Sequence, residues 1–272
     1  MVRDTPVGGE PRGRGGNPVN SLGERVEQVL QHLGEGVLLF FQAVFWSKAA
    51  PRNADKILSH VVEFGNATLP IASLMAIFIG GVLALQTGSR LAQFGLEGNI
   101  GGIVGLSMVK ELGPVMTALL VAGRVGSAIA AEVGAMNVYE EIDALKTLNI
   151  NPVRYLVMPR LVASFIAVPA LCMYVNMIGL LGGAIVSSVN PKIAVSFRLF
   201  RLNFQEVVKF SDVMDSLLKA VVFGVAVSIT CCYVGLRTTG GPEEIGRAVT
   251  RAVVLSFMFI FVLNYVITRI LM

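Results

Sequence analysis

Apolar residues along this chain recur first at helical spacing and then, from about residue 60 onward, in long runs with few charges. Between Ser21 and Lys56 the pattern is amphipathic. Val26, Val29, Leu30 and Leu33 share one side of a helix, with Glu24, Arg25, Glu27, Gln28 and Gln31 on the other. Ser21 stands where a cap belongs, with Glu24 in the first turn. After Gly34 and Gly36 the segment grows richer in Leu and Phe and closes on Trp46, Lys48, Pro51 and Arg52. An aromatic residue followed by basic ones suits a helix lying in the plane of a membrane surface, so residues 21–56 are read that way. A contact with a partner helix is the plainer alternative. Ahead of this segment, residues 1–20 are rich in Gly, Pro and Arg and read as a short disordered tail without a signal-peptide core.

Five apolar runs follow, at about 61–86, 100–136, 161–189, 213–236 and 249–271. Each approaches or exceeds the ~20 residues that cross a bilayer. The second run is too long for one plain crossing and is interrupted by Lys110, Glu111, Gly113, Pro114, Arg124 and Glu132. Because Pro lacks an amide donor, the helix is expected to kink or break at Gly113-Pro114. Two further segments have helical periodicity outside the runs. Ile142, Leu145 and Leu148 line one side of a short helix from Glu140 to Leu148, with acidic residues at its start and Lys146 toward its end, and Asn151-Pro152 to stop it. From Ser196 to Phe210, Phe197, Phe200, Phe204 and Val208 alternate with Arg198, Arg201 and Lys209, which suits a helix on a membrane surface or beside an opening.

Composition agrees with this picture. Hydrophobic residues make up 54% of the 272 positions and charged ones 15%, with a mean hydropathy of +0.70. A soluble domain carries about 25% charged residues, so this chain cannot cover itself in water as an ordinary cytosolic enzyme does. The expected class is an all-α polytopic membrane protein. Lys and Arg fall mainly in the connections, which points to membrane topology and away from nucleic acid. With the N-terminal segment inside, thirteen basic residues lie on the inner side and seven on the outer, placing the N-terminus in and the C-terminus out. Cys172, Cys231 and Cys232 sit in apolar runs without ligand spacing and read as buried small hydrophobes.

Charges inside a span cost about 2.5–3.5 kcal/mol each on insertion scales, which singles out a few residues. Lys110 and Glu111, beside Gly113-Pro114, suggest a polar mouth or cavity wall, and Lys219, early in the fourth run, is a similar candidate. Arg124 and Glu132 lie roughly on one helix face two turns apart, too far for a pair without a bridging group. Ala122, Gly126, Ala130 and Gly134 form a row of small residues beside a second row of Gly123, Ser127, Ala131 and Ala135. Such rows let another helix approach closely, either within the chain or from a second copy. No GxxxxGK[ST] or HExxH motif occurs, and His32 and His60 fall outside the runs, so no catalytic or metal-binding constellation is read.

Lys110-Glu111-Leu112-Gly113-Pro114, then Ala122-Gly123-Arg124-Val125-Gly126-Ser127-Ala128, Ala131-Glu132-Val133-Gly134, and Glu141-Ile142-Asp143-Ala144-Leu145 through Asn151-Pro152 closely resemble the MlaE/YrbE permease family. The likeness includes Arg160, Lys219 and Gly246-Arg247-Ala248-Val249. It implies a lipid-moving ABC transporter permease of the bacterial inner membrane, made as a homodimer of five-span subunits, each preceded by an interfacial helix. Cytosolic ATPase subunits would bind ATP and magnesium beneath it, this chain carrying no cofactor. An MCE-domain protein would sit on the outer face, and a small STAS-type subunit could join. The resemblance makes the helix around Glu140, Glu141, Ile142, Asp143, Leu145 and Leu148 the coupling helix for the ATPase. Lys110, Glu111 and Lys219, with Arg124 and Glu132, would line the lipid cavity. The rival readings are a stand-alone channel or secondary transporter, and a membrane scaffold that transports nothing.

Overall fold

A computed structural model describes residues 18–46, 53–191, 193 and 195–271, and among these every regular element is helical. The elements are α1 (Pro18–Trp46), α2 (Ala54–Gln93), α3 (Glu97–Val138), α4 (Glu141–Thr147), α5 (Val153–Val189), α6 (Phe197–Val207), α7 (Phe210–Leu236) and α8 (Pro242–Leu271). The chain divides into two units, residues 1–38 and 39–272, and α1 begins in the first. All the side-chain geometry below belongs to the second.

Five helices, α2, α3, α5, α7 and α8, are long and apolar enough to cross a membrane. The chain is thus an all-α, multi-pass membrane protein. Each helix outruns its apolar stretch, because the hydrogen-bond ladder continues through polar flanks that hydropathy excludes. The 40 residues of α2 would extend about 60 Å, twice the ~30 Å hydrocarbon core of a bilayer.

Three expectations about boundaries are corrected. α1 starts at Pro18, inside the stretch read as tail; proline suits a first helical turn, where its missing N–H has no partner to lose. The rest of that tail, residues 1–17, lies outside the described residues. The segment 21–56 is not one helix: α1 ends at Trp46, residues 47–52 lie outside the described residues, and Ala54, Asp55 and Lys56 already belong to α2. Nor does α3 break at Gly113-Pro114. It absorbs the proline with a π turn at Met108–Leu112, continues as α-helix over Gly113–Val121, and makes a second π turn at Ala122–Gly126.

α2 packs along α5 through glycine. A Cβ on Gly80 would fall on the Gly179 carbonyl, and one on Gly182 on the Ile77 carbonyl, so these backbones touch where no side chain fits. Ser73 Oγ and Tyr174 OH, 2.6 Å apart, tie the same two helices together. α7 packs against α3 and α5, and α8 packs on α7 and the end of α3. α8 meets the bundle through Ala248, Ala252, Ser256 and Ile260 and exposes Val254, Met258, Phe261, Val262 and Tyr265. Exposed apolar residues of this kind are what lipid or another helix covers.

At one end of the bundle, α6 lies across the start of α3. Ser196 caps it by accepting the Leu199 N–H, and Phe200 is buried. Gly101 and Gly105 clear space for the Phe200 backbone and the Phe204 ring, and Asn203 Oδ1 accepts the Gly102 N–H at 2.5 Å. At the opposite end, Glu140 takes a left-handed conformation (φ 61°) that turns the chain from α3 into α4. Asn151 Oδ1 then accepts the Val153 N–H at 2.9 Å, so Asn151-Pro152 starts α5 as much as it stops α4.

Candidate functional site

The π turn Met108–Leu112 presents Lys110 and Glu111 toward α7 and α8. Pro114 has no N–H, so the Lys110 carbonyl four residues earlier loses its ordinary helical donor. Lys219 of α7 replaces it: Nζ donates to the Lys110 carbonyl at 2.9 Å and to Glu111 Oε1 at 2.7 Å. Thr268 Oγ1 also donates to Oε1, at 3.2 Å, while Asn264 Nδ2 donates to Oε2 at 3.0 Å. The Glu111 carboxylate therefore joins α3, α7 and α8.

A second ion pair stands beside the first. Lys110 Nζ lies 2.9 Å from Asp212 Oδ1, and Asp212 Oδ2 accepts the Lys209 backbone N–H at 2.9 Å. Asp212 thus fixes the first turn of α7 as half of a capping box and also holds a cation from α3. Deeper in, Asn176 Nδ2 donates to Ser216 Oγ at 3.3 Å, and Cys172 Sγ lies 3.5 Å from the same hydroxyl. Asp212, Ser216 and Lys219 sit on one side of α7, giving a polar track through an apolar bundle. Charges at that depth are costly without partners, and here each has one. Lys219 is 4% exposed at its side chain, whereas Lys110 and Glu111 are 42% and 41% exposed. The pairs are closed on the inward side and open on the other.

Arg124 and Glu132 belong to a different place. Glu111 and Glu132 are separated by 21 residues of one helix, about 30 Å along its axis. Near the α4 end, Arg124, Val125, Ala128, Ile129 and Glu132 of α3 line a cavity of about 130 Å³ with His60, Glu63 and Phe64 of α2 and Arg160 of α5. Arg160 NH2 meets Glu132 Oε1 at 2.7 Å and NH1 donates to the Leu156 carbonyl at 3.1 Å, while Nε is buried without a partner. Arg160, near the start of α5, is thus the partner of Glu132. His60, expected beyond the apolar runs, lies within α2 and places Nδ1 3.4 Å from Glu63 Oε2.

The first small-residue row is used within the chain. Ala122 and Ala130 are buried, and a Cβ on Gly126 would lie 2.8 Å from Cys231 Sγ and 3.2 Å from Val227 Cγ1 of α7. Gly134 faces Thr238. Gly123, in the second row, has open space where a side chain would go. In α4, Ile142 is buried and Leu145 packs on the same core, while Leu148 is 70% exposed. Glu140 and Glu141 are exposed, and Asp143 pairs with Lys146 at 2.7 Å. All three cysteines are free and buried. Among the described residues no three His, Cys, Asp or Glu converge as metal ligands.

Sequence reasoning missed Asp212, Asn264 and Thr268 as partners of the charged pair and Arg160 as the partner of Glu132. Asp212 had a local signal, since an acid three residues into a helix is placed to cap it. Asn264 and Thr268, one turn apart in an apolar helix, offered only their polarity.

Comparison with known proteins bears on the whole site. The model of the family described as Permease MlaE matches residues 57–270. A "Probable ABC transporter permease protein" of Rickettsia felis is 38% identical over 253 residues, covering 93% of this chain and 97% of the relative. The "Intermembrane phospholipid transport system permease protein MlaE" of Haemophilus influenzae is 34% identical, covering 94% and 97%. "Protein TRIGALACTOSYLDIACYLGLYCEROL 1, chloroplastic" of Arabidopsis thaliana is 33% identical, over 78% of this chain and 60% of its own length. The matched residues hold both charged regions, α4 and all but the outermost few residues of the five long helices, and the chain belongs to the MlaE permease family.

Proposed function

We propose that this chain is the permease subunit of an ABC transporter that moves phospholipid between envelope membranes, driven by ATP hydrolysis on a separate subunit. The observation that carries the reading is the Lys110–Asp212 and Glu111–Lys219 arrangement, two partnered ion pairs among apolar helices with their outer sides open. A phospholipid needs both environments, ionic partners for its headgroup and apolar surface for its chains. The half-exposed faces of Lys110 and Glu111 and the outward apolar face of α8 suit completion of that chamber by a second copy of the chain. The named relatives of Haemophilus influenzae and Rickettsia felis support the phospholipid and the ABC class respectively.

On this reading α4 couples to a cytosolic ATPase that binds ATP and magnesium. Ile142 and Leu145 root the helix on the bundle, leaving Leu148, Glu140 and Glu141 for the partner. The N-terminus is cytosolic and the C-terminus outside, in a bacterial inner membrane, with an MCE-domain protein on the outer face and a small STAS-type subunit as accessory. The test is ATP-dependent transfer of labelled phospholipid from vesicles holding the assembled permease and ATPase. Glu111→Gln with Lys219→Met should abolish transfer while the protein stays folded. Glu141→Lys with Asp143→Lys should lower ATPase co-purification or uncouple ATP hydrolysis from transfer. Transfer at wild-type rate in both variants overturns the reading.

A further inference from the structure

The cavity at the α4 end is not part of the ionic cluster, and its lining has a particular charge pattern. Arg124 and Arg160 supply two guanidinium groups, and Glu63 and Glu132 two carboxylates, with His60 beside Glu63. Arg124 makes no side-chain hydrogen bond or ion pair among the described residues. Arg160 is buried, and its guanidinium uses NH1 and NH2 within the chain while Nε has no acceptor. Arg carries five N–H donors, so this group is under-satisfied for a buried cation. The carboxylates of Glu63 and Glu132 are 61% and 57% exposed at the rim.

A simple anion entering here would meet two carboxylates, and a simple cation would meet two guanidinium groups. A molecule with both signs meets neither penalty. The size agrees: about 130 Å³ holds on the order of ten water-sized groups at the ~10–15 Å³ that each needs. That is the scale of a phosphate joined to a small amine. We propose that this cavity binds a zwitterionic phosphate–amine group of the phosphoethanolamine class, its phosphate against Arg124 and Arg160 and its ammonium against Glu63 and Glu132. The site lies about 20–30 Å along α3 from the Glu111 cluster, toward the opposite end of the bundle. The proposal rests on the reading above only in taking a membrane lipid as one source of the group. A soluble phosphate–amine carries the same chemistry.

The test uses the full-length chain alone in nanodiscs of equal parts phosphatidylethanolamine and phosphatidylglycerol. A photoreactive residue replaces Ala128, which lines the cavity, or Leu74, an exposed position on α2. Capture at Ala128 should favour phosphatidylethanolamine by about fivefold or more, a difference of roughly 1 kcal/mol, with no such preference at Leu74. Arg124→Gln should remove the preference, and since Arg124 has no partner to abandon, that variant keeps its fold. Arg160→Gln repeats the result where it remains folded. Glycerophosphoethanolamine added in excess separates the sources: loss of the lipid adduct assigns a soluble ligand, and persistence assigns the bilayer lipid. Equal capture of both lipids at Ala128, preference for phosphatidylglycerol, or an unchanged ratio in Arg124→Gln overturns the proposal. Neither ATPase nor transport enters the assay, so its failure and that of the transport reading are told apart.

Discussion

The two charged regions of α3 stand on one helix about 20–30 Å apart, yet they balance their charges in different ways. Near the α6 end, Glu111 receives hydrogen bonds from three side chains on two other helices, and Lys110 has a dedicated carboxylate in Asp212. Near the α4 end, Arg160 is sealed in with one acid and one carbonyl, Arg124 is left open, and the acids lean outward. In the first region the ionic groups hold three helices together. In the second they line a space. The first region is satisfied on its inward side and keeps its capacity on the exposed faces of Lys110 and Glu111, whereas the second leaves donors unused around a cavity.

The comparison is broken most strongly at Lys219. Lys219→Met should leave the Glu111 carboxylate without its cation and the Lys110 carbonyl without a donor; Glu111 keeps Asn264, Thr268 and part of its water, so about 2–3 kcal/mol is expected. Denaturant or thermal unfolding of the purified protein reads this directly. Adding Glu111→Gln should recover a large part of the loss, because the uncompensated charge goes with it. A double variant no more stable than Lys219→Met would mean the pair does not bind the helices together.

A smaller effect is expected where α3 packs on α7 behind the second region. Gly126→Leu drives a side chain into Cys231 and Val227 of the same chain, and overpacking of this kind costs about 1–3 kcal/mol. The loss should appear even under conditions where the protein is monomeric. A Gly126→Leu chain of wild-type stability that fails only to self-associate would place the row at an interface between copies.

The smallest effects belong to the α4 end, where the two arginines should separate. Arg160→Gln loses its contact with Glu132, yet Glu132 is 57% exposed and keeps water, so about 1 kcal/mol is expected. Arg124→Gln breaks nothing within the chain and should stay within about 0.5 kcal/mol of wild type. Equal losses at both positions would show that Arg124 is held by the fold and that the cavity is structural.

Much of the architecture was legible in the residues. Five spans follow from apolar runs because a helix in lipid must satisfy its own backbone, so composition and length decide it locally. Ile142, buried, and Leu145, half-buried, follow from spacing in the same way, as do the cysteines as buried small side chains, whereas Leu148, which the same spacing set beside them, is exposed. Lys110, Glu111 and Lys219 stood out because a charge in an apolar run is expensive wherever it points.

Which groups meet was a matter for the tertiary structure alone. Lys219 reaches Glu111 across 108 positions and Asn264 reaches it across 153, and no local period carries that information. The grouping of Arg124 and Glu132 with Lys110 failed for the same reason: shared polarity does not state depth, and depth came from where each helix crosses its neighbours. The small-residue row could have faced another copy until α7 was seen against it, and the α2–α5 crossing at Gly80 and Gly179 depended on two distant backbones coming together. Sequence determines what each helix must bury, and packing decides against what.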